Sequence, residues 1–329
     1  MLSSGRVIRA RVVCSGLFVS AILVAVPALA QKYPDKPVRV IVPAPAGGAL
    51  DIVGRHVTQK LTESFGMQFI VDNRGGASGA IGADIVANSA PDGYVLLFTS
   101  ASAVSINPHF STKPVDPLLR FAPIVLVASS PMVLVLHPSV PAATVKQLVS
   151  LAASRPDALA FASNGSGSLS HVTAALFMQR AGIRMLHVPY KGAAPAVIDT
   201  VAGNVSVLFA GYPSISAQER AGRLKAIAVT SAKRVELAPH LPTIAESGLP
   251  GFEATQWWGI YGPAGLSNSI IDRLNVELNR ILRTADIRSR LAADSAEPIG
   301  GSPAQLAAYH KADYEKWGKV ISSAGIKGE

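Results

Sequence analysis

Two segments of the chain place prolines, glycines and small residues directly after a short apolar run, a composition suited to anion binding. In the first, the β-branched run Val38–Val42 leads into a loop and then a helical pattern that Asp51 is predicted to cap. Glycine lets backbone N–H groups approach a ligand, and the open N–H groups at a helix start favour an anion. We therefore predict a carboxylate site made by Ala44, Pro45, Ala46, Gly47, Gly48 and Asp51.

The second segment repeats this arrangement in the other half of the chain. A predicted strand at residues 159–162 is followed by a small polar turn and a helix that includes His171. Either segment alone is equally compatible with an ordinary strand-to-helix turn. Their repetition favours two lobes that hold a ligand between them. The second loop supplies Ser163, Asn164, Gly165, Ser166, Gly167 and His171.

Residues 1–30 have the features of a secretory signal peptide. Arg6, Arg9 and Arg11 form a positive segment, residues 12–26 are mainly apolar, and the small-residue pattern at residues 28–30 predicts cleavage after Ala30. The apolar run is shorter than the roughly 20 residues needed to span a membrane. The sequence therefore predicts export, and a periplasmic protein.

Composition narrows the function classes. Cleavage would remove three arginines, lowering the formal charge from +9 to +6, and would also remove Cys14, the single cysteine. The remaining basic residues are scattered and not clustered into a stripe, which argues against nucleic-acid binding. The seven histidines show no paired metal-ligand spacing. We expect no metal site, no cofactor and no nucleic acid.

Strand and helix patterns alternate along the chain, which indicates an α/β fold with mostly parallel sheets. Two apolar strands at residues 124–128 and 131–138 leave no room for a crossover helix, so the chain is predicted to pass there from one sheet to another. Thr255–Pro263 is predicted to return, giving a two-strand hinge. The predicted lobes are residues 31–130 with 252–329, and residues 131–251.

An ordered set of motifs resembles the Bordetella uptake gene (Bug) type periplasmic receptors of tripartite tricarboxylate transporters. They are residues 43–51, 73–83, 90–94, 187–192, 224–233, 241–252 and 261–265, and the likeness covers the chain beyond the signal peptide. The resemblance implies a type II-like periplasmic-binding-protein fold, a monomer, and membrane permease subunits as partners. It also implies that the first loop holds a carboxylate through backbone amides and ordered waters. Further pocket residues implied in this way are Ser78, Thr99, Ser100, Ser102 and Lys191; an ordinary solvated cation is an equally good interpretation of Lys191.

The chain departs from the family pattern at positions that bear on the ligand. Ala44 stands where an aromatic residue is common, and Leu50 stands where a small or hydroxyl residue is common. Ala210 replaces an aspartate that can pair with a ligand ammonium group in amino-acid-binding relatives. An organic carboxylate without an ammonium group is therefore the expected ligand.

Three other functions are compatible with parts of the sequence. A dinucleotide-binding enzyme is disfavoured because Ser170 stands at the third glycine position of the fingerprint. A hydrolase using His171 with a serine such as Ser166 is disfavoured because no Gly-x-Ser-x-Gly elbow occurs around Ser78, Ser163 or Ser166. We therefore expect no enzyme activity. A periplasmic sensor that presents its ligand to a signalling partner would share this fold and pocket, so the sequence leaves that alternative open.

Overall fold

Short β-branched runs form the strands of the protein, and the intervening amphipathic segments form its helices. A computed structural model describes residues 33–76, 79–111, 116–236 and 238–327, and Pro34–Glu329 form one compact unit. The predicted signal peptide at residues 1–30 and the predicted site residue Ser78 lie outside the described residues.

The strands follow the predicted order. They are β1 (Val38–Val42), β2 (Phe69–Asn73), β3 (Val95–Ser100), β4 (Phe121–Leu136), β5 (Ala160–Ser163), β6 (Leu186–Pro189), β7 (Val207–Gly211), β8 (Lys225–Val229), β9 (Thr255–Pro263) and β10 (Glu297–Pro298).

The helices lie between the strands, except the last one, which follows β10. They are α1 (Ala49–Phe65), α2 (Ala80–Ala87), α3 (Pro117–Arg120), α4 (Val145–Ser154), α5 (Leu169–Ala181), α6 (Ala193–Val201), α7 (Tyr212–Arg220), α8 (Asn268–Leu282), α9 (Ala285–Ala293) and α10 (Pro303–Ala324). A π-helical turn, Ser102–Ile106, and a 3-10 turn, Asn107–Phe110, follow β3.

Two sheets share one strand. In the first sheet β1 pairs in parallel with β2 and β3, and β9 joins antiparallel between β3 and β4. In the second, β5 pairs in parallel with β6 and β7, and β4 runs antiparallel to β7 and β8. The carboxyl ends of parallel strands lie at one edge of a sheet, where open sheets bind ligands. The loops after β1, β2 and β3 therefore share one edge, and those after β5, β6 and β7 share another.

The passage between the sheets differs from the prediction. The two predicted strands at residues 124–128 and 131–138 form the single 16-residue strand β4. Pro131 pairs with Thr255 of β9, and the next residue, Met132, already pairs with Gly211 of β7. A proline has no N–H to donate, and Pro131 lies where β4 changes partner, so the strand continues through it.

Helix α10 contributes to the packing of both sheets. Its side chain Leu306 packs with Trp257 in one core cluster, whereas Trp317 packs with Phe177 and Phe209 in the core of the second sheet. Ser302 is the N-cap of this helix, and it forms a capping box with Gln305. The lobe boundaries themselves, residues 31–130 with 252–329 and residues 131–251, remain a prediction.

The two buried tryptophans Trp257 and Trp317 differ in one hydrogen bond. Both are fully buried, and Trp257 Nε1 donates to Asp313 at 2.8 Å, whereas Trp317 Nε1 has no acceptor among the described residues. Trp257→Phe should therefore lower the free energy of unfolding by about 1–3 kcal/mol more than Trp317→Phe, since it leaves a buried carboxylate short of a donor. Urea denaturation followed by circular dichroism measures both. Equal losses of unfolding free energy in the two variants would contradict a stabilising role for the hydrogen bond between Trp257 and Asp313.

Candidate carboxylate-binding site

The three loops at the edge of the first sheet pack tightly against one another. A side chain on Gly82, which follows β2, would bring its Cβ to 2.8 Å from the Pro43 Cβ of the β1 loop, and one on Gly79 would come 2.8 Å from Ala103 beyond β3. Gly75 lies against Pro45 in the same way, at 3.4 Å. The structure thus brings the first predicted loop together with the segments after β2 and β3. Glycines are required at these positions because a larger side chain would push the loops apart.

The sequence predicted Asp51 as the N-cap of helix α1, and this prediction is wrong. The helix begins at Ala49 with Gly48 as its N-cap, so Asp51 is the third helical residue and is buried. Its carboxylate accepts hydrogen bonds from Gly47 N–H at 2.8 Å and from Arg55 Nε at 2.9 Å. The difference arises because Gly47 adopts a φ of +83°, which turns its N–H back towards the first turn of the helix.

Asn73, at the end of β2, completes this network; it belongs to a motif that the resemblance placed at the pocket, but its contacts were not predicted. Its Nδ2 donates to Asp51 Oδ1 at 2.9 Å and to the Ala44 carbonyl at 3.1 Å, while its Oδ1 accepts from Arg55 Nη2 at 3.0 Å. Burial by itself would raise the pKa of the Asp51 carboxyl, but hydrogen bonds from Arg55, Gly47 and Asn73 outweigh it and hold that pKa below its ordinary value. A charged Asp51 thus fixes the loop to the helix and to β2.

The first turn of α1 keeps donors available for a ligand. The first N–H groups of any helix have no partner within the helix. In α4, α5, α9 and α10 an N-cap serine or threonine side chain accepts from one of them, whereas Gly48 has no side chain that could do so. Gly48 and Ala49 are exposed. The start of α1 therefore presents backbone N–H groups together with the positive end of the helix dipole.

Hydroxyl side chains at the end of β3 border the same edge. Thr99 is fully buried, and its Oγ1 has no hydrogen-bond partner among the described residues. Ser100 and Ser102 are half-buried. Ser105, on the π-helical turn, also carries a buried hydroxyl without a partner in the described part of the chain, and sequence reasoning gave no signal for it.

The second loop differs from the first because its own side chains satisfy the backbone. Ser168 caps α5 by accepting from the His171 N–H at 3.4 Å, and Asn164 N–H donates to Ser170 Oγ at 2.9 Å. Ser163 is fully buried, and its hydroxyl lies 2.6 Å from His187 Nε2. The predicted repetition of strand, turn and helix is present, but this helix start is already capped.

Two stacked histidines form the wall beside this loop. The His171 and His187 ring centroids are 3.8 Å apart, and His187 also stacks on Phe161 at 4.9 Å. Burial, with a smaller contribution from His187, lowers the pKa of His171 to about 4, and burial also lowers the pKa of His187. Both rings are therefore neutral at pH 7. Because His171 Nδ1 accepts from Gly167 N–H at 3.1 Å, its proton is on Nε2, where it is a donor.

The remaining predicted residues occupy different environments. Gly167 is covered, since a Cβ there would lie 2.8 Å from the Phe110 ring. Ala210 is buried in the core cluster that contains Val133. Other predicted residues are accessible to solvent to different degrees: Asn164 and Lys191 are exposed, and Gly165 and Ser166 are half-buried. Pro45, Ala46, Gly47 and Gly48 are exposed and Ala44 is half-buried.

Two further features limit the chemistry of the site. Among the described residues no three histidine, cysteine, aspartate or glutamate side chains cluster as metal ligands would. The Nδ1 of His171 is occupied by a backbone N–H. A base that activates a serine needs a ring nitrogen directed at a hydroxyl that a substrate can reach; His187 Nε2 lies 2.6 Å from the Ser163 hydroxyl, but Ser163 is fully buried.

Comparison with known proteins identifies the family of this chain. The profile of the "Tripartite tricarboxylate transporter family receptor" matches residues 53–326, and the chain belongs to that family. Protein BugT of Bordetella pertussis is 35% identical over 95% of this chain and 96% of its own length. A protein from the tcbD-tcbE intergenic region of Pseudomonas sp. strain P51 is 39% identical over 88% of this chain and 87% of its own length.

Solved structures agree. Rpa4515 of R. palustris with adipate is 34% identical, with a TM-score of 0.76, over 90% of this chain and 99% of its own. MatC of Rhodopseudomonas palustris with bound malate is 28% identical, with a TM-score of 0.72, over 88% and 100%. The periplasmic-binding-protein fold and the likeness to Bug receptors are confirmed. Members of this family are periplasmic solute-binding receptors, not enzymes. No helix in the described ranges is long and apolar enough to cross a membrane.

Asp51→Asn tests the network that holds the first loop. The substitution keeps the shape of the side chain but removes the charge that pairs with Arg55. It also places an amide NH2 group, a donor, beside groups that themselves donate to Asp51. It should lower the free energy of unfolding by about 1–3 kcal/mol, as measured by urea denaturation. Asn73→Asp added to it restores a charge for Arg55 and should recover part of the loss. The control Asp272→Asn, on an exposed face of α8, should change stability by less than about 0.5 kcal/mol.

The neutral histidines predict a pH dependence of stability. Between pH 6.5 and about 4 the unfolded chain binds a proton at His171 that the folded chain does not, so the free energy of unfolding should fall as the pH falls through this window. Lowered pKa values at His187, His109 and His310 act in the same direction. His171→Gln should therefore reduce the slope without abolishing it. Unfolding curves at pH 4.5, 5.5 and 6.5 measure it, and an unchanged slope would contradict the prediction.

Proposed function

We propose that this protein is an exported receptor that captures a small organic carboxylate without an ammonium group. It then delivers that ligand to the permease subunits of a tripartite tricarboxylate transporter. The observation that carries the proposal is the start of α1. There, backbone N–H groups remain open because Gly48 has no side chain, and the loop before them is fixed by the buried Asp51.

The chemical class of the ligand follows from the balance of charges around the loops. The start of α1 offers donors and a positive dipole end, and the His171 Nε2–H is a further neutral donor in the second loop. The resemblance implies an aspartate at the position of Ala210 in amino-acid-binding relatives, and an alanine cannot pair with an ammonium group. The ligands in the two solved relatives, adipate and malate, are dicarboxylates without an ammonium group.

Export and delivery rest on the sequence and on the family. Residues 1–30 have the pattern of a signal peptide, with cleavage after Ala30, and the family consists of receptors for a membrane transporter. The protein acts as a monomer in the periplasm, and the permease subunits are its partners. Capture requires the lobes at residues 31–130 with 252–329 and at residues 131–251 to close, since each contributes one loop.

A thermal-shift panel tests the ligand class. Adipate, malate, citrate, benzoate, aspartate and glutamate are compared, because a ligand at 100 times its dissociation constant should stabilise the fold by about 2.7 kcal/mol. One or more of the first four should raise the melting temperature. A rise with the amino acids alone would refute the proposed ligand class.

Gly48→Val then tests the site with the acid that binds best. A Cβ at Gly48 would lie 3.8 Å from the Pro45 carbonyl oxygen, and its φ of −80° suits any residue, so the variant should fold. Its side chain would cover the open N–H groups and remove two charge-assisted hydrogen bonds at about 1.5–3 kcal/mol each, weakening binding at least a hundredfold. Ser267→Val, at the N-cap of α8, is the matched control. Tight binding by Gly48→Val in calorimetry would exclude this loop from the site.

A further inference from the structure

A separate cavity of about 310 Å³ lies where the end of α8, the start of α9 and strand β10 meet. None of the residues predicted for the carboxylate site lines it. Its walls are Asn279, Leu282, Arg283, Arg288, Pro298, Ile299, Gly300 and Gly301.

Two of the residues that line this cavity are arginines. Arg283 and Arg288 are exposed and form no ion pair among the described residues. The acidic residues nearest to them in sequence are already engaged, since Glu277 pairs with Arg280 and Asp286 pairs with Arg290 and Lys60. Glu297 is adjacent in sequence to a wall residue, but successive strand residues point to opposite faces and Glu297 does not line the cavity.

The floor of the cavity is fixed by side-chain amides. Asn279 Oδ1 accepts from Gly301 N–H at 2.8 Å and its Nδ2 donates to the Gly301 carbonyl at 3.0 Å, while Asn275 Nδ2 donates to the same carbonyl at 2.8 Å. Gly300, with a φ of +77°, has no room for a side chain because its Cβ would lie 2.6 Å from Asn279 Oδ1. The backbone of this turn is therefore held in place before any ligand arrives.

Apolar surface lies beside the two cations. Ile299 is a large apolar residue with 49% of its surface exposed, and Leu282 is buried beneath. Guanidinium groups bind carboxylates through paired hydrogen bonds, and the volume is at the lower end of that of small-molecule pockets. We propose that this cavity is a second binding site, which takes a small organic carboxylate with an apolar body, its head on Arg283 and Arg288 and its body on Ile299.

The test uses octanoate as the probe and the folded, nitrogen-15-labelled protein. Titration followed by NMR should shift the signals of Gly300, Gly301 and the two arginine side chains. Arg283→Gln combined with Arg288→Gln should weaken this binding at least tenfold. The matched control combines Arg220→Gln with Arg223→Gln, two exposed arginines at the end of α7 and in the turn that follows it, and should leave the binding unchanged.

Further probes separate this site from its alternatives. Acetate, which has the head alone, and octylamine, which has the opposite charge, should leave these signals unshifted at the octanoate concentrations that saturate them. Gly48→Val should leave the octanoate shifts at Gly300 intact, so failure of the first carboxylate site would not affect this result. Three outcomes would overturn the proposal: octanoate shifts confined to the Gly47 and Gly48 region, equal shifts with octylamine, and binding of an acidic peptide but not of octanoate.

Discussion

The buried carboxylate of Asp51 is the interaction on which the first loop depends. It ties a glycine with a positive φ, an arginine one helical turn away and an asparagine from the neighbouring strand into one network. A buried charge is costly unless donors surround it, so these partners cannot move independently. The loop is therefore held in one conformation by this network and by its two packed prolines, and its exposed residues Ala46, Gly47 and Gly48 have no large side chain.

The two loops present different groups to a ligand. The first is held by the Asp51 network on its inner side, and the N–H groups at its helix start have no side-chain cap. The second directs its serines inward to cap its own helix, so the surface that remains is made of side chains, among them a neutral histidine with one free donor. A ligand between them would meet backbone dipoles on one side and side-chain dipoles on the other. The two ends of a bound acid would therefore interact with different kinds of donor.

Periodicity and capping rules predicted most of the fold. β1 and β9 have the predicted bounds because their apolar runs end at prolines, and Ser302 starts α10 because its capping residues are local in sequence. The sequence also located the first loop. It could not show that Asp51 lies inside the helix, because that depends on the backbone angle at Gly47. Nor could it pair Asn73 with Ala44 or His171 with His187, because those contacts join different elements of the fold.

Strand β4 also has a consequence for how the chain reaches its native state. Phe121 at one end of β4 pairs with Pro263, about 140 residues later, and all of β5 to β8 lies between these partners in the chain. Pairings at such separation carry a high loop-closure entropy and form slowly. The intervening segment has its own parallel strands and core, so it can collapse before β9 pairs with β3 and β4. Until then one edge of β4 stays uncovered, and the newly made protein is most prone to aggregation at that stage.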